Sequence, residues 1–292
     1  MTNDRRTVVI VVGSLHYDIV VDAPDRPRKG ETVAGSAWRP KFGGKGGNQA
    51  VAAATAGAQV RMVGAVGDDD FGVFLLDALA AGGVDVSRVG RIDHVGSGMS
   101  VAILDASGDY GAVIVSGTNL HIDPTMVNGA ELWQDANVLV LQNEIPEKLN
   151  VIAATAARKA GATVCVNAAP YRPMSDEFLG LIDVLIVNAV EAEQFGSAPV
   201  TDRETAAAAA TTLSRRFPTV VVTAGGDGLV GVQASQAAVI LPALPVELVS
   251  THGAGDVFVG AFATSIGRGQ TFRDSLAAAN HAAAAHVSKR SG

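Results

Sequence analysis

Residues 138–167 read VLVLQNEIPEKLNVIAATAARKAGATVCVN, and this stretch decides the fold class. The run at 138–141 is apolar without alternation and too short for a helix, so it reads as a strand covered on both faces. Residues 146–160 carry a helical pattern, and 163–167 read as a second buried strand. Strand, helix and strand in about thirty residues is the unit that builds a parallel sheet.

The same alternation extends in both directions. Residues 8–12, 60–66, 184–188 and 219–223 read as further buried strands, and 48–55, 71–81 and 203–217 as helices. Gly57 and Gly82 stand where helices stop. The expectation is an α/β class protein: a doubly wound, mostly parallel sheet with helices on both faces, forming one domain over residues 1–292. Two stretches break the rhythm. Residues 17–41 are spaced by Asp, Pro and Gly, and 97–116 read as two strands around a Ser-Gly-Asp turn, a hairpin. They form either ordinary edge excursions or a small side sheet that acts as a lid over the strand ends, where open sheets place ligands.

Composition narrows the function. Of 292 residues 48% are apolar and 17% charged, enough for a large core. The 22 basic and 29 acidic residues give a net charge of −7, so nothing points to nucleic acid as a partner. One cysteine, Cys165, excludes an intramolecular disulfide and a four-thiolate metal centre. It fits a reducing compartment and reads as a buried small hydrophobe. Residues 1–7 are polar and the apolar run 8–12 is too short for a membrane span or signal segment, so a soluble cytoplasmic protein with no membrane partner is expected. His281 and His286, five apart, fit no zinc pattern and read as ordinary residues of a C-terminal helix. Met62, Trp133 and the Phe71/Phe74 pair read as core.

Chemistry concentrates in three places. Gly253-Ala254-Gly255-Asp256 opens an apolar helical run through Ile266, so its backbone N–H groups lack intrahelical partners and suit a phosphate anion. Asp256 in that first turn is placed to accept a proton from a hydroxyl. Taken alone, the segment is equally a glycine-rich turn whose aspartate favours the helix dipole. Gly43-Gly44-Lys45-Gly46-Gly47-Asn48-Gln49 precedes a helix and packs backbone closely against something. It is not a P-loop, since Gly46 follows Lys45 where Ser or Thr would stand. Lys45 and Asn48 offer donors to hydroxyl oxygens. Polar residues also recur after strands: Asp18, Glu144, Asn188 with Glu191, and Thr223 with Gly225, Gly226 and Gly228. Each is separately a candidate cap or turn residue, but together they point to a shared crevice.

The glycine loop, the following Val63-Gly64-Ala65-Val66-Gly67-Asp68-Asp69 and the Gly253–Asp256 segment together resemble the two signatures of the ribokinase-like (phosphofructokinase-B) carbohydrate kinase family. The resemblance covers essentially the whole chain in order. It is nearest the ribokinase branch, through Gly44–Ala50 and Gln142-Asn143-Glu144. It implies an ATP-dependent sugar kinase that transfers the γ-phosphate to a primary hydroxyl of a small sugar such as ribose. Asp256 would be the base and Gly253, Ala254 and Gly255 the anion hole. His16, Asp18, Gly44, Lys45, Asn48 and Glu144 would meet the sugar, with His16 standing where ribokinases usually carry Asn. Asn188, Thr223, Gly225, Gly226, Gly228, Gly255 and Asn280 would line the nucleotide, and Asn188 and Glu191 would hold Mg²⁺ through water. The lid would also clasp a second copy in a homodimer.

The family usually has Asp at the position of Ser250, beside an activating monovalent cation. With the chain ending at Gly292, weak or absent K⁺ activation is expected. Two rival readings stay open: a nucleoside kinase of the same family, acting on the ribosyl 5′-hydroxyl, and a catalytically weak sugar-binding regulatory protein.

Overall fold

The computed structural model describes residues 7–105, 110–234 and 236–288. Its first half runs β1 (Val8–Val12), β2 (His16–Asp22), β3 (Ala37–Gly43), α1 (Lys45–Thr55), β4 (Gln59–Gly67), α2 (Asp70–Ala81), β5 (Val84–Ile92), β6 (Met99–Leu104), β7 (Tyr110–Val115), α3 (Ala130–Trp133) and β8 (Ala136–Leu141). The second half runs α4 (Glu147–Lys159), β9 (Thr163–Asn167), α5 (Asp176–Leu179), β10 (Val184–Asn188), α6 (Ala189–Gln194), α7 (Arg203–Leu213), β11 (Thr219–Thr223), β12 (Leu229–Gln233), β13 (Val239–Leu241), α8 (Ala254–Gly267) and α9 (Phe272–Val287).

Among the described residues one large sheet has the order β13-β12-β11-β10-β9-β8-β1-β4-β5. From β11 to β5 the neighbours are parallel, and β12 and β13 close one edge antiparallel. Alternation across the pleat splits β1 cleanly. Val9 and Val11 face the core under α1, α2, α8 and α9, while Ile10 and Val12 face the core under α4 to α7. All five residues are buried, which is why the strand reads as an unbroken apolar run. The α/β expectation holds. Among the described residues no helix is long and apolar enough to cross a membrane.

The two excursions meet in a separate sheet of order β3-β2-β6-β7. β2 pairs antiparallel with β3 and parallel with β6, and β6 pairs antiparallel with β7. The register sets Lys41 opposite Asp18 and Asp18 opposite Ser100, so the three side chains share one face. The expected Ser107-Gly108-Asp109 turn includes residues outside the described ones. Phe71, Phe74 and Trp133 need a correction, because they are half-buried rather than core, whereas Met62 is buried. Tyr17 stacks on Phe71 with ring centroids 4.0 Å apart and meets Phe74 edge-on at 4.8 Å, which anchors the small sheet to α2.

A second correction concerns α1, which starts at Lys45 rather than at residue 48. Gly46 and Gly47 therefore lie inside the helix, against their low helix propensity. Tertiary packing overrides it: a Cβ on Gly46 would stand 2.6 Å from the Gly13 and Ser14 backbone. The same logic brings α1 against α8. A Cβ on Gly260 would lie 2.6 Å from the Ala53 nitrogen and the Gln49 carbonyl, so glycine is what lets the two helix backbones touch there. Gly260→Leu is therefore expected to destabilise the fold by about 1–3 kcal/mol through overpacking and to lower activity with it. Urea unfolding checks the first effect, and a variant as stable as wild type would refute the packing argument.

Candidate active site

The C-terminal ends of β9, β10 and β11 and the first turn of α8 enclose a cleft of about 410 Å³, lined by Lys45, Asn167, Asn188, Glu191, Thr223 and Asp256 together with the 251–253 loop. This is where open parallel sheets place ligands. Asp256, in the first turn of α8, is 8% exposed. Gln49 Nε2 donates to its Oδ1 at 2.9 Å, and Asn48 Nδ2 donates to its Oδ2 at 3.1 Å. Gln49 also donates to Asn167 Oδ1 at 3.0 Å and accepts from Gln142 Nε2 at 2.8 Å, so residues after β8, on β9 and on α1 hold one carboxylate. Burial raises the Asp256 pKa above the ordinary aspartate value, against the pull of Lys45 and of the two amide donors.

Gly253 caps α8 in the left-handed region at φ 81°, which only glycine adopts without strain. The expected three-amide anion hole is corrected in one respect. The Ala254 N–H turns back to Thr251 O at 3.3 Å, because the Gly253 turn folds that segment onto itself. The Gly255 N–H sits in a first turn that has no intrahelical acceptor, and Gly255 lines the cleft with open space beside it.

Glu144, after β8, accepts from Lys45 N at 2.9 Å and from Ser14 Oγ at 2.5 Å. It thus ties the end of β1 to the start of α1 and stands close enough to Asp256 for their charges to repel. Gly44 is the N-cap of α1, tight against the Ser14–His16 backbone. Asp18 accepts from Ser100 Oγ at 2.6 Å. Lys41, an exposed residue opposite Asp18, has its pKa lowered by partial desolvation of its ammonium, although Asp18 and Asp256 both attract its charge. His16, 4% exposed, has an Nε2 with no hydrogen-bond partner among the described residues.

On the opposite side Asn188 and Glu191 form a capping box at the start of α6. Asn188 N donates to Glu191 Oε2 at 2.9 Å and Glu191 N to Asn188 Oδ1 at 2.8 Å. The ordinary reading of these residues as helix caps is thus correct as well, although both also line the cleft. Burial raises the Glu191 pKa. Thr223 ends β11 at the cleft, and the Gly225–Asp227 turn follows it, with Gly226 exposed. Gly228 packs on the backbone of residues 241–243, and Asn280 Nδ2 donates to Pro242 O at 2.9 Å. Gly228 and Asn280 therefore meet through Pro242, outside the lining of the cleft itself.

Gln49, Asn167, Ser14 and Lys41 are site residues that the sequence pattern does not assign. Gln49 follows Asn48 directly and carried a usable signal, whereas Asn167, Ser14 and Lys41 become neighbours of the cleft only through sheet order. Cys165 is fully buried, with its thiol pushed up to about 12 by burial, as an inert core residue should be.

A buried carboxylate beside the free Gly255 amide, at a cleft on the strand ends, is an arrangement suited to a phosphotransferase of the α/β class. Residues 6–292 match the family described as pfkB family carbohydrate kinase. The ribokinase of Bacillus subtilis is 36% identical over 281 residues, covering 96% of this chain and 92% of that protein. The ribokinase of Haemophilus influenzae is 33% identical over 287 residues, covering 98% and 94%. The structure of Arabidopsis thaliana ribokinase complexed with ribose and ATP superposes with a TM-score of 0.91 at 28% identity, covering 99% of this chain and 95% of that one. The chain belongs to the pfkB family of carbohydrate kinases and is an ATP-dependent sugar kinase.

Proposed function

We propose that this kinase acts on the primary hydroxyl of a small sugar, ribose first among them, with Asp256 as general base. The observation that carries the reading is the double amide clamp on Asp256, which holds both carboxylate oxygens at the mouth of α8 beside the Gly255 amide. In the reaction the sugar oxygen forms a bond to the γ-phosphorus and its proton passes to the Asp256 carboxylate. The bond from that phosphorus to the β–γ bridging oxygen breaks, giving sugar phosphate and ADP. Developing negative charge on the phosphoryl oxygens meets the α8 amides and the Lys45 ammonium, whose charge reaches both Asp256 and Glu191.

Asp18, Glu144, Lys45 and Asn48 would hold the sugar hydroxyls, and Gly44 would let it approach the backbone. The unpartnered His16 Nε2 supports a contact there that an asparagine would make with a different reach. The nucleotide would lie toward Thr223, Gly225, Gly226, Gly228 and Asn280. Asn188 and Glu191 fit Mg²⁺ through water. Among the described residues there is no cluster of three acidic, His or Cys side chains that could hold a metal; Mg²⁺ bound to phosphates usually keeps several of its waters. The ion would neutralise charge on the phosphates when bound.

Glu191→Gln is expected to raise the Mg²⁺ concentration needed for half-maximal rate several-fold while the sugar KM stays put. A magnesium titration decides it, and an unchanged midpoint would remove Glu191 from this role. The pH profile offers a second check. A base must be ionised to act, so burial places the acidic limb of kcat/KM above the ordinary aspartate value. Gln49→Leu deletes a donor that favours the ionised form, so the limb should move to higher pH. A limb that moves lower would contradict the assignment.

The small sheet would serve as a lid, and its outward face, with Trp38 65% and Val113 68% exposed, would meet the same face of a second copy. Light scattering tests this, with a monomer at micromolar concentration as the adverse result. ADP release from ATP and Mg²⁺ with ribose, deoxyribose, fructose and adenosine tests the substrate. Turnover of adenosine alone would make the protein a nucleoside kinase, and sugar binding without ADP at any salt would make it a binding protein.

A further inference from the structure

The resemblance to the family places a monovalent cation beside residue 250, and the local oxygens among the described residues do not fit one. The Ser250 hydroxyl accepts from His252 N at 3.2 Å. The Val287 carbonyl accepts from Val249 N at 2.8 Å and Ser250 N at 3.3 Å. The His252 carbonyl faces His286 Nε2 at 2.9 Å. The Ser250 and Val287 oxygens already accept from N–H groups, the His252 carbonyl faces a ring nitrogen, and none of the three carries a formal charge. Residue 292, where the chain ends, lies outside the described residues.

What these contacts build is a clasp. Residues 249–253 lead straight into the first turn of α8, and His286 stands in the last turn of α9. The His286 ring also lies close over Gly253, with Nε2 3.2 Å from where a Cβ on that glycine would stand. The left-handed Gly253, the bond to His252 O and the two bonds to Val287 O therefore fix the same short loop. That loop sets the direction of the Gly255 amide.

We propose that His286 is a positioning residue that stands in for a monovalent cation: its Nε2–H, donated to the His252 carbonyl, holds the 249–253 loop so that the α8 amides stay aimed at the transferring phosphoryl group. Turnover then needs no K⁺. The inference rests on the anion-hole reading above and deepens it. His286 does lie in a C-terminal helix, as the sequence reading has it, and the proposal adds a role to it there.

The test uses the full chain with ribose and ATP, at constant ionic strength in KCl or choline chloride. Wild type should give the same kcat and the same thermal midpoint in both salts. His286→Leu should lower kcat about tenfold through loss of alignment, with the ribose KM little changed. His286→Gln, whose amide nitrogen reaches a similar point, should restore most of that loss. Several-fold activation of wild type by K⁺ would overturn the proposal, as would His286→Leu retaining full kcat or His286→Gln behaving like the leucine variant. If His286→Leu fails to fold by circular dichroism, the salt comparison on wild type decides alone, through both rate and thermal midpoint. Absence of ADP with every sugar in every salt would instead sink the kinase reading beneath it.

Discussion

Asp256→Asn should lower kcat by about 10²–10⁴-fold, the range that a positioned base typically contributes. The substitution keeps the shape of the side chain and removes the proton acceptor. It also turns an amide toward Gln49 and Asn48, which now donate to the two carboxylate oxygens. One of those donors must then rotate or lose its partner, at a cost of about 1–3 kcal/mol. The expected result is a folded protein with nearly normal ATP and sugar binding and almost no turnover. Steady-state kinetics beside calorimetric binding separate the two effects. A variant within threefold of wild-type kcat would mean that the proton leaves by another route.

Gly255→Leu should cost about 10²–10³ in kcat, on the scale of losing a donor to a developing oxyanion, while the fold survives. Two facts drive this. Nothing stands within 4 Å of where a Cβ on Gly255 would lie, so the added side chain meets no protein atom there. That open space belongs to the cleft, so leucine would occupy the place of the phosphoryl group. The contrast with Gly260 one turn and a half further along α8 is informative. There a side chain would strike the backbone of α1, and stability suffers first. Thermal melting and kinetics on both variants distinguish them. An active Gly255→Leu enzyme would mean that the phosphate does not pass by this turn.

The strands at Thr163–Asn167, Val184–Asn188 and Thr219–Thr223 match their sequence reading to the residue, because each is an unbroken apolar run ended by a polar residue at the sheet edge. β5, β12 and β13 lie outside the strands that the sequence pattern predicts. β5 mixes Asp, Ser and Arg into an edge position where only part of each face is covered, so neither period dominates. α1 starts three residues before the sequence pattern predicts, because glycine propensity argues against a helix that backbone packing enforces.

By itself the sequence determined the α/β class, the glycine loop, and Asp256 at the start of a helix, since these depend on periodicity and on backbone chemistry within a few residues. Tertiary structure alone decided that Gln49 clamps Asp256 from 207 residues away in the chain and that the two excursions join through parallel pairing of β2 and β6. It also decided that His286 closes on the loop before α8. Those contacts depend on how close two backbones can come and on the order of strands in a sheet. Neither quantity is encoded by the local pattern of any one segment.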